Sequence, residues 1–207
     1  MPFVKEIETE AGKLGIWELM ESPEELSLNF KFSQAEEAEY FRIKGDKRKL
    51  EYLATRILLN NILNFKPAVG YEVSGKPYLE NSPLQISISH SAELVTVLIS
   101  DRKIGIDVEN TKRNIDRVAR RFLHPKELEH ILTLKDSQQA KILYWSAKEA
   151  IFKCSDSTGI LFNEQIYIFP FNIKKKGLFR GMLNSTVPFK LWYLFYENNA
   201  IVYCVEE

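Results

Sequence analysis

The clearest hydrophobic periodicity in the chain spans residues 48–63. Leu50, Leu53, Ala54, Ile57, Leu58 and Ile62 recur at helical spacing there, and Lys49, Tyr52, Arg56 and Asn60 fall on another face. Residues 138–154 form a second long helical pattern, apolar on most sides. Strand-like segments follow each. Behind the first, Gln85-Ile86-Ser87-Ile88-Ser89 alternates polar and apolar, and 94–99 is a continuous apolar run of the kind a buried strand needs. Behind the second, strands are predicted at 165–171, 177–183, 188–196 and 200–205, with Asn198-Asn199 as a hairpin turn between the last two.

Shorter signals fill the remainder. A strand is predicted at 16–20, and Ser22-Pro23-Glu24-Glu25 starts a helix with Pro in its first turn. Ser33-Gln34-Ala35-Glu36 has capping-box spacing, and Ser74-Gly75-Lys76-Pro77 reads as a turn. The second half restarts with a strand at 103–109, a helix near 114–122 and another from His124-Pro125. The predicted fold class is α+β, with two similar lobes, each a long helix packed on a small, mostly antiparallel sheet. The lobes are expected at 1–102 and 103–207, with no Gly/Ser linker between them and no residue-level repeat.

Composition narrows the possibilities. The 207 residues are 45% hydrophobic and 27% charged, an ordinary globular balance. Lys plus Arg and Asp plus Glu are 28 each, which argues against a dedicated nucleic-acid binder. Cys154 and Cys204 have no metal-ligand spacing and read as two reduced thiols. The charged N-terminus lacks a signal peptide's apolar run, and no stretch is long enough to span a bilayer, so a cytoplasmic location is expected. No Walker loop and no G-x-G-x-x-G is present.

Candidate chemistry centres on Gly105-Ile106-Asp107-Val108-Glu109. On a strand, Asp107 and Glu109 share a face while Ile106 and Val108 take the other. Adjacent carboxylates repel, and a hard divalent cation relieves the repulsion; two solvated acids at a strand end are the plain alternative. On the later helix, Trp145, Glu149 and Lys153 follow at i, i+4 spacing along one stripe, with Lys148 beside Glu149. Charges set into an apolar helix are paired or used; a surface Glu149–Lys153 pair is the alternative. Ser87-Ile88-Ser89-His90 ends a strand and offers Ser89 and His90 as phosphate donors, although a lone His there is more often structural.

Taken in order, Gly75-Lys76-Pro77, Ser87-Ile88-Ser89-His90, Gly105-Ile106-Asp107-Val108-Glu109 and Trp145-Ser146-Ala147-Lys148-Glu149-Ala150-Ile151-Phe152-Lys153 resemble the motifs of the 4′-phosphopantetheinyl transferase superfamily, in its longer, single-chain pseudo-dimeric form. Arg56 also stands where that form carries an arginine on its first long helix. The resemblance implies transfer of the phosphopantetheine arm of coenzyme A to a serine of an acyl or peptidyl carrier protein, with Mg²⁺, releasing adenosine 3′,5′-bisphosphate. It implies Asp107, Glu109 and Glu149 as metal-binding acids, Glu149 or a water as base, and Lys153 at the pyrophosphate. It further implies His90 with Ser89 at the 3′-phosphate, and Lys76, Pro77 and Arg56 as other coenzyme A contacts. A monomer is expected, with neither nucleic acid nor membrane as partner. One departure stands out: the family's Gly-rich turn after the second lysine is here Cys154-Ser155-Asp156-Ser157-Thr158-Gly159. A catalytically silent coenzyme A or carrier-protein binder and a Mg²⁺ phosphohydrolase are the competing readings.

Overall fold

In the computed structural model, which describes residues 4–207, the chain opens with a hairpin of β1 (Val4–Thr9) and β2 (Gly12–Glu18). Three helices follow: α1 (Pro23–Asn29), α2 (Gln34–Arg42) and α3 (Asp46–Leu63). Ser22 and Ser33 each complete a capping box, with Glu25 and Glu36 reaching back to the cap N–H. Next come a small hairpin of β3 (Val69–Tyr71) and β4 (Pro77–Leu79), then β5 (Gln85–His90) and β6 (Leu94–Ser100). The second half begins with β7 (Ile104–Asn110), α4 (Asp116–Phe122), α5 (Pro125–Thr133) and α6 (Ser137–Cys154). It ends with α7 (Phe162–Gln165), β8 (Ile166–Ile168), β9 (Lys176–Leu183), β10 (Val187–Tyr196) and β11 (Asn199–Glu206).

The fold is α+β. One sheet has the order β1-β2-β6-β5 and the other β7-β11-β10-β9-β8, with every pairing antiparallel. Helix α3 covers the first sheet, seating Leu53, Leu58 and Leu59 against Trp17, Val95 and Val97. Helix α6 covers the second, with Ala147 and Ile151 against Leu191 and Val202. The two remaining faces close on each other: Leu14, Ile16 and Leu98 share a core with Ile106, Val108 and Ile201. The order is therefore helix, sheet, sheet, helix. Each fully buried aliphatic side chain contributes roughly 1.5–3 kcal/mol, so the contact between the sheets holds the halves together strongly. Because β6 is covered on both faces, its whole run is buried, as its unbroken apolar pattern predicts.

Several expectations need correction. The predicted strand at 16–20 is the end of β2, whose partner β1 carries too many charges to stand out as a strand. The last hairpin turns at Glu197-Asn198, with Glu197 at φ 48°, not at Asn198-Asn199. Asn199 opens β11, fully buried, where Ser91 donates to its Oδ1 and its Nδ2 donates to Glu93. Among the described residues no helix is long and apolar enough to cross a membrane.

Candidate functional site

The site grows from the contact between β7 and α6. Ile104, Ile106 and Val108 point into the core between the sheets, which turns Gly105, Asp107 and Glu109 toward α6. Glycine is required at 105, because a Cβ there would lie 1.9 Å from the Ala150 carbonyl oxygen and 2.8 Å from the Cys154 nitrogen. That close approach lays the last two turns of α6 over the acidic face of the strand. Lys153 then reaches Asp107 Oδ1 at 2.9 Å, Ser89 Oγ at 2.9 Å and the Ile106 carbonyl at 3.0 Å. Glu109, two residues on, accepts from Trp145 Nε1 at 2.9 Å and pairs with Arg113.

Ser89 plays a different part from the one expected of it. Strands β5 and β7 are edges of different sheets, and hydroxyls join them where a ladder does not: Ile106 N–H donates to Ser87 Oγ and Val108 N–H to Ser89 Oγ. Ser89 also donates to Asp107 Oδ1 at 3.0 Å while accepting from Lys153. A hydroxyl has one proton and two lone pairs, and all three are used. In this arrangement Ser89 orients Asp107 and Lys153 and leaves no free donor for a phosphate.

The acids have the chemistry of a hard-cation site. Asp107 is 5% exposed, and its Oδ2 is buried without a hydrogen-bond partner, an arrangement that costs free energy unless something positive faces it. The Glu149 carboxyl is pushed up to about 7, first by burial and then by Asp107, with Glu109 adding and Lys153 and Arg113 opposing. A buried carboxyl whose acidic neighbours disfavour its charge marks a donor set short of positive charge, and all three acids offer oxygen ligands suited to Mg²⁺. Among the described residues no three such groups yet converge around one point, since Asp107 leans to Lys153 and Glu109 to Arg113. Mg²⁺ keeps several waters, so full convergence is not needed for these residues to hold it.

Beside this cluster lies a cavity of about 680 Å³ lined by His90, Arg56, Pro77, Arg42, Arg48 and Glu51 among others. Arg56 is almost wholly buried. Its guanidinium lies 4.5 Å from the Tyr52 ring centre, donates to Tyr71 Oη and pairs with Glu39. Such burial of a permanent cation, anchored on aromatic faces, builds a fixed positive wall. Lys76 does not line this cavity. It faces a second one of about 330 Å³, shared with Pro77 and Lys153, and binds Asp156 at 2.8 Å. Asp156 also pairs with Lys103 at 2.6 Å, and the two lysines, Lys103 first, hold its carboxyl down at about 2. A third cavity of about 340 Å³ opens at Glu149 and Trp145, walled by Phe122 and Phe162.

Residues 103–204 match the family model described as the 4′-phosphopantetheinyl transferase superfamily. Over that second half the chain is similar to the superfamily. It is 35% identical over 125 residues to 4′-phosphopantetheinyl transferase HetI of Nostoc sp., covering 55% of this chain and 52% of the relative. It is 29% identical over 140 residues to 4′-phosphopantetheinyl transferase psf-1 of Bacillus pumilus, covering 63% and 59%. To 4′-phosphopantetheinyl transferase AcpT of Salmonella typhimurium it is 30% identical over 112 residues, covering 51% and 58%. The chain thus spans about half the length of the curated relatives it matches.

The structure joins Asp107, Ser89 and Lys153 directly and sets Glu109 and Glu149 beside them. It places His90, Arg56 and Pro77 around the large cavity and turns Lys76 toward Asp156. Sequence reasoning missed Arg42, Arg48 and Glu51 as cavity residues, because their charges read as the polar face of surface helices. It also missed Asp156 as the partner of two lysines. The one available signal was that an acid stands where the family has a glycine-rich turn.

Proposed function

We propose that this chain transfers the 4′-phosphopantetheine arm of coenzyme A to a serine of an acyl or peptidyl carrier protein, with Mg²⁺, releasing adenosine 3′,5′-bisphosphate. The observation that carries the reading is the Lys153–Asp107–Ser89 cluster, with Asp107 Oδ2 buried and unpartnered and the Glu149 carboxyl raised in part by Asp107. The reaction forms a bond from the serine oxygen to the β-phosphorus and breaks the bond from that phosphorus to the bridging oxygen. Negative charge builds on the leaving bisphosphate. Asp107, Glu109 and Glu149 would hold Mg²⁺, which neutralises charge on the two phosphates when bound.

The chain's own residues supply the rest. Lys153 Nζ, held by Asp107, Ser89 and the Ile106 carbonyl, places a fixed positive charge where the pyrophosphate would lie. Glu149, with a carboxyl near 7, is poised at neutral pH to take the serine proton directly or through a water. Arg56 and His90 line the cavity that would take the nucleotide, and Lys76 with Pro77 borders the space next to it. Both sheet edges of the site come from one chain, which supports a working monomer. Neither nucleic acid nor membrane enters the reaction, and a cytoplasmic location fits its substrates.

The test is to incubate the protein with coenzyme A, Mg²⁺ and a panel of apo-carrier proteins, reading the added arm by mass spectrometry. Modification of at least one carrier at its serine, lost in Glu149→Gln, is the expected outcome. Coenzyme A binding without modification of any carrier would support a silent binder instead. Phosphate release from small phosphoesters would support the hydrolase.

A further inference from the structure

The large cavity holds an acid that the transferase reading does not use. Glu51 is the one carboxylate among the described residues lining it, in the company of Arg42, Lys44, Arg48, Arg56 and His90. It is 8% exposed on α3, and its Oε1 lies 3.4 Å from His90 Nδ1 and 3.5 Å from Lys47 Nζ. The lysine does not account for the acid. Lys47 is 61% exposed, and a Lys placed N-terminal to a Glu is the weaker order for an i, i+4 pair. A carboxylate in a cavity built for an anion repels that ligand unless it serves a neighbouring group.

The geometry points to Glu51 as the positioning residue for His90, and so as the determinant of selectivity for the 3′-phosphate of coenzyme A. This inference rests on the transferase reading above. His90 ends β5, with half its side chain exposed, so its own strand does little to fix the ring. The carboxylate engages Nδ1 from the side of α3, which leaves Nε2 as the nitrogen presented to a ligand. Glu51 is itself anchored: its backbone carbonyl accepts from Thr55 Oγ1 at 2.7 Å inside the helix. The arrangement spends one negative charge, well buried and surrounded by cations, to aim one ring at one phosphate.

Calorimetry of coenzyme A and 3′-dephospho-coenzyme A in the presence of Mg²⁺ tests this with Glu51→Gln, Glu51→Asp, His90→Ala and the double variant Glu51→Gln/His90→Ala. Loss of a group that orients a ligating histidine weakens binding by about tenfold or more. We therefore expect Glu51→Gln to bind coenzyme A about tenfold more weakly and dephospho-coenzyme A unchanged. Glu51→Asp, with its carboxylate withdrawn by one methylene, should do the same, and the double variant should lose no more than His90→Ala alone. Equal losses for both ligands would mark Glu51 as structural, and no loss or additive losses would sever it from His90; each overturns the inference. Wild-type protein that binds both ligands equally overturns it alone, whereas wild-type protein that binds neither overturns the transferase reading with it.

Discussion

Glu149 is the residue whose chemistry depends most on its surroundings. In the unfolded chain its carboxyl titrates near 4.5, whereas in the fold burial and the neighbouring Asp107 raise it to about 7. Between those values the folded chain keeps a proton that the unfolded chain has released, so stability falls as pH rises from about 4.5 to about 7. At about 1.4 kcal/mol per unit, the span is worth on the order of 3 kcal/mol at most. Urea midpoints of the metal-free protein at pH 5 and pH 8 should show that fall, and Glu149→Gln should flatten it. An equal slope in the variant would mean that the carboxyl titrates like a solvated one. The i, i+4 stripe made Glu149 legible in the sequence, but not its pKa, because burial sets it first and the acids of β7 add to it.

At the scale of elements, two of the three lysines on α6, Lys148 and Lys153, have opposite fates. The sequence sets Lys148 beside Glu149 as one more charge near the site. One residue along a helix is a turn of about 100°, and it carries Lys148 off the Glu149 stripe onto another face of α6. There it is fully buried, paired with Glu127 of α5 at 2.8 Å and donating to the carbonyls of Phe162 and Ile166. Glu127 accepts in turn from the Ile168 and His124 N–H groups. Burial pushes Glu127 up and Lys148 down, and each is held back by the other's charge. The pair therefore fastens α5, α7 and β8 to α6. Lys148→Met should lower stability by about 3–5 kcal/mol, since it strands a buried carboxylate. Glu127→Gln/Lys148→Met should recover a large part of that loss in the same denaturant titration. If the double variant is as unstable as the single one, packing and not charge explains the position.

For the whole molecule, the contact between the two sheets has the largest consequence. Ile104, Ile106, Val108, Ile201 and Val205 form a face of the second sheet that only the first sheet covers. Residues 103–207 expressed alone should therefore expose an apolar patch larger than soluble monomers tolerate, and should aggregate or lose near-ultraviolet dichroism. Mixing with residues 4–102 should restore both. A monomeric, well-dispersed NMR spectrum from the isolated half would show instead that the two halves fold independently. The predicted pair of helix-plus-sheet units matches what each stretch of chain contains. Their face-to-face stacking was not legible, because the apolar alternation of β2 and β7 marks a buried face without naming what covers it.

The sequence by itself determined the two long helices, the capped starts, the alternation that points Asp107 and Glu109 one way, and the ordered motifs that carry the family resemblance. These rest on local physics: helical and strand periods, caps, and residue types at short spacing. Tertiary structure alone decided which of those residues act on one another. Lys153 meets Asp107 because Gly105 lets α6 settle on β7. The Ser89 hydroxyl straps two sheet edges together, Lys76 is claimed by Asp156, and Glu51 is brought to His90. Each pairing joins residues from elements distant in the chain, where the partner is fixed by how the layers stack and not by any local pattern.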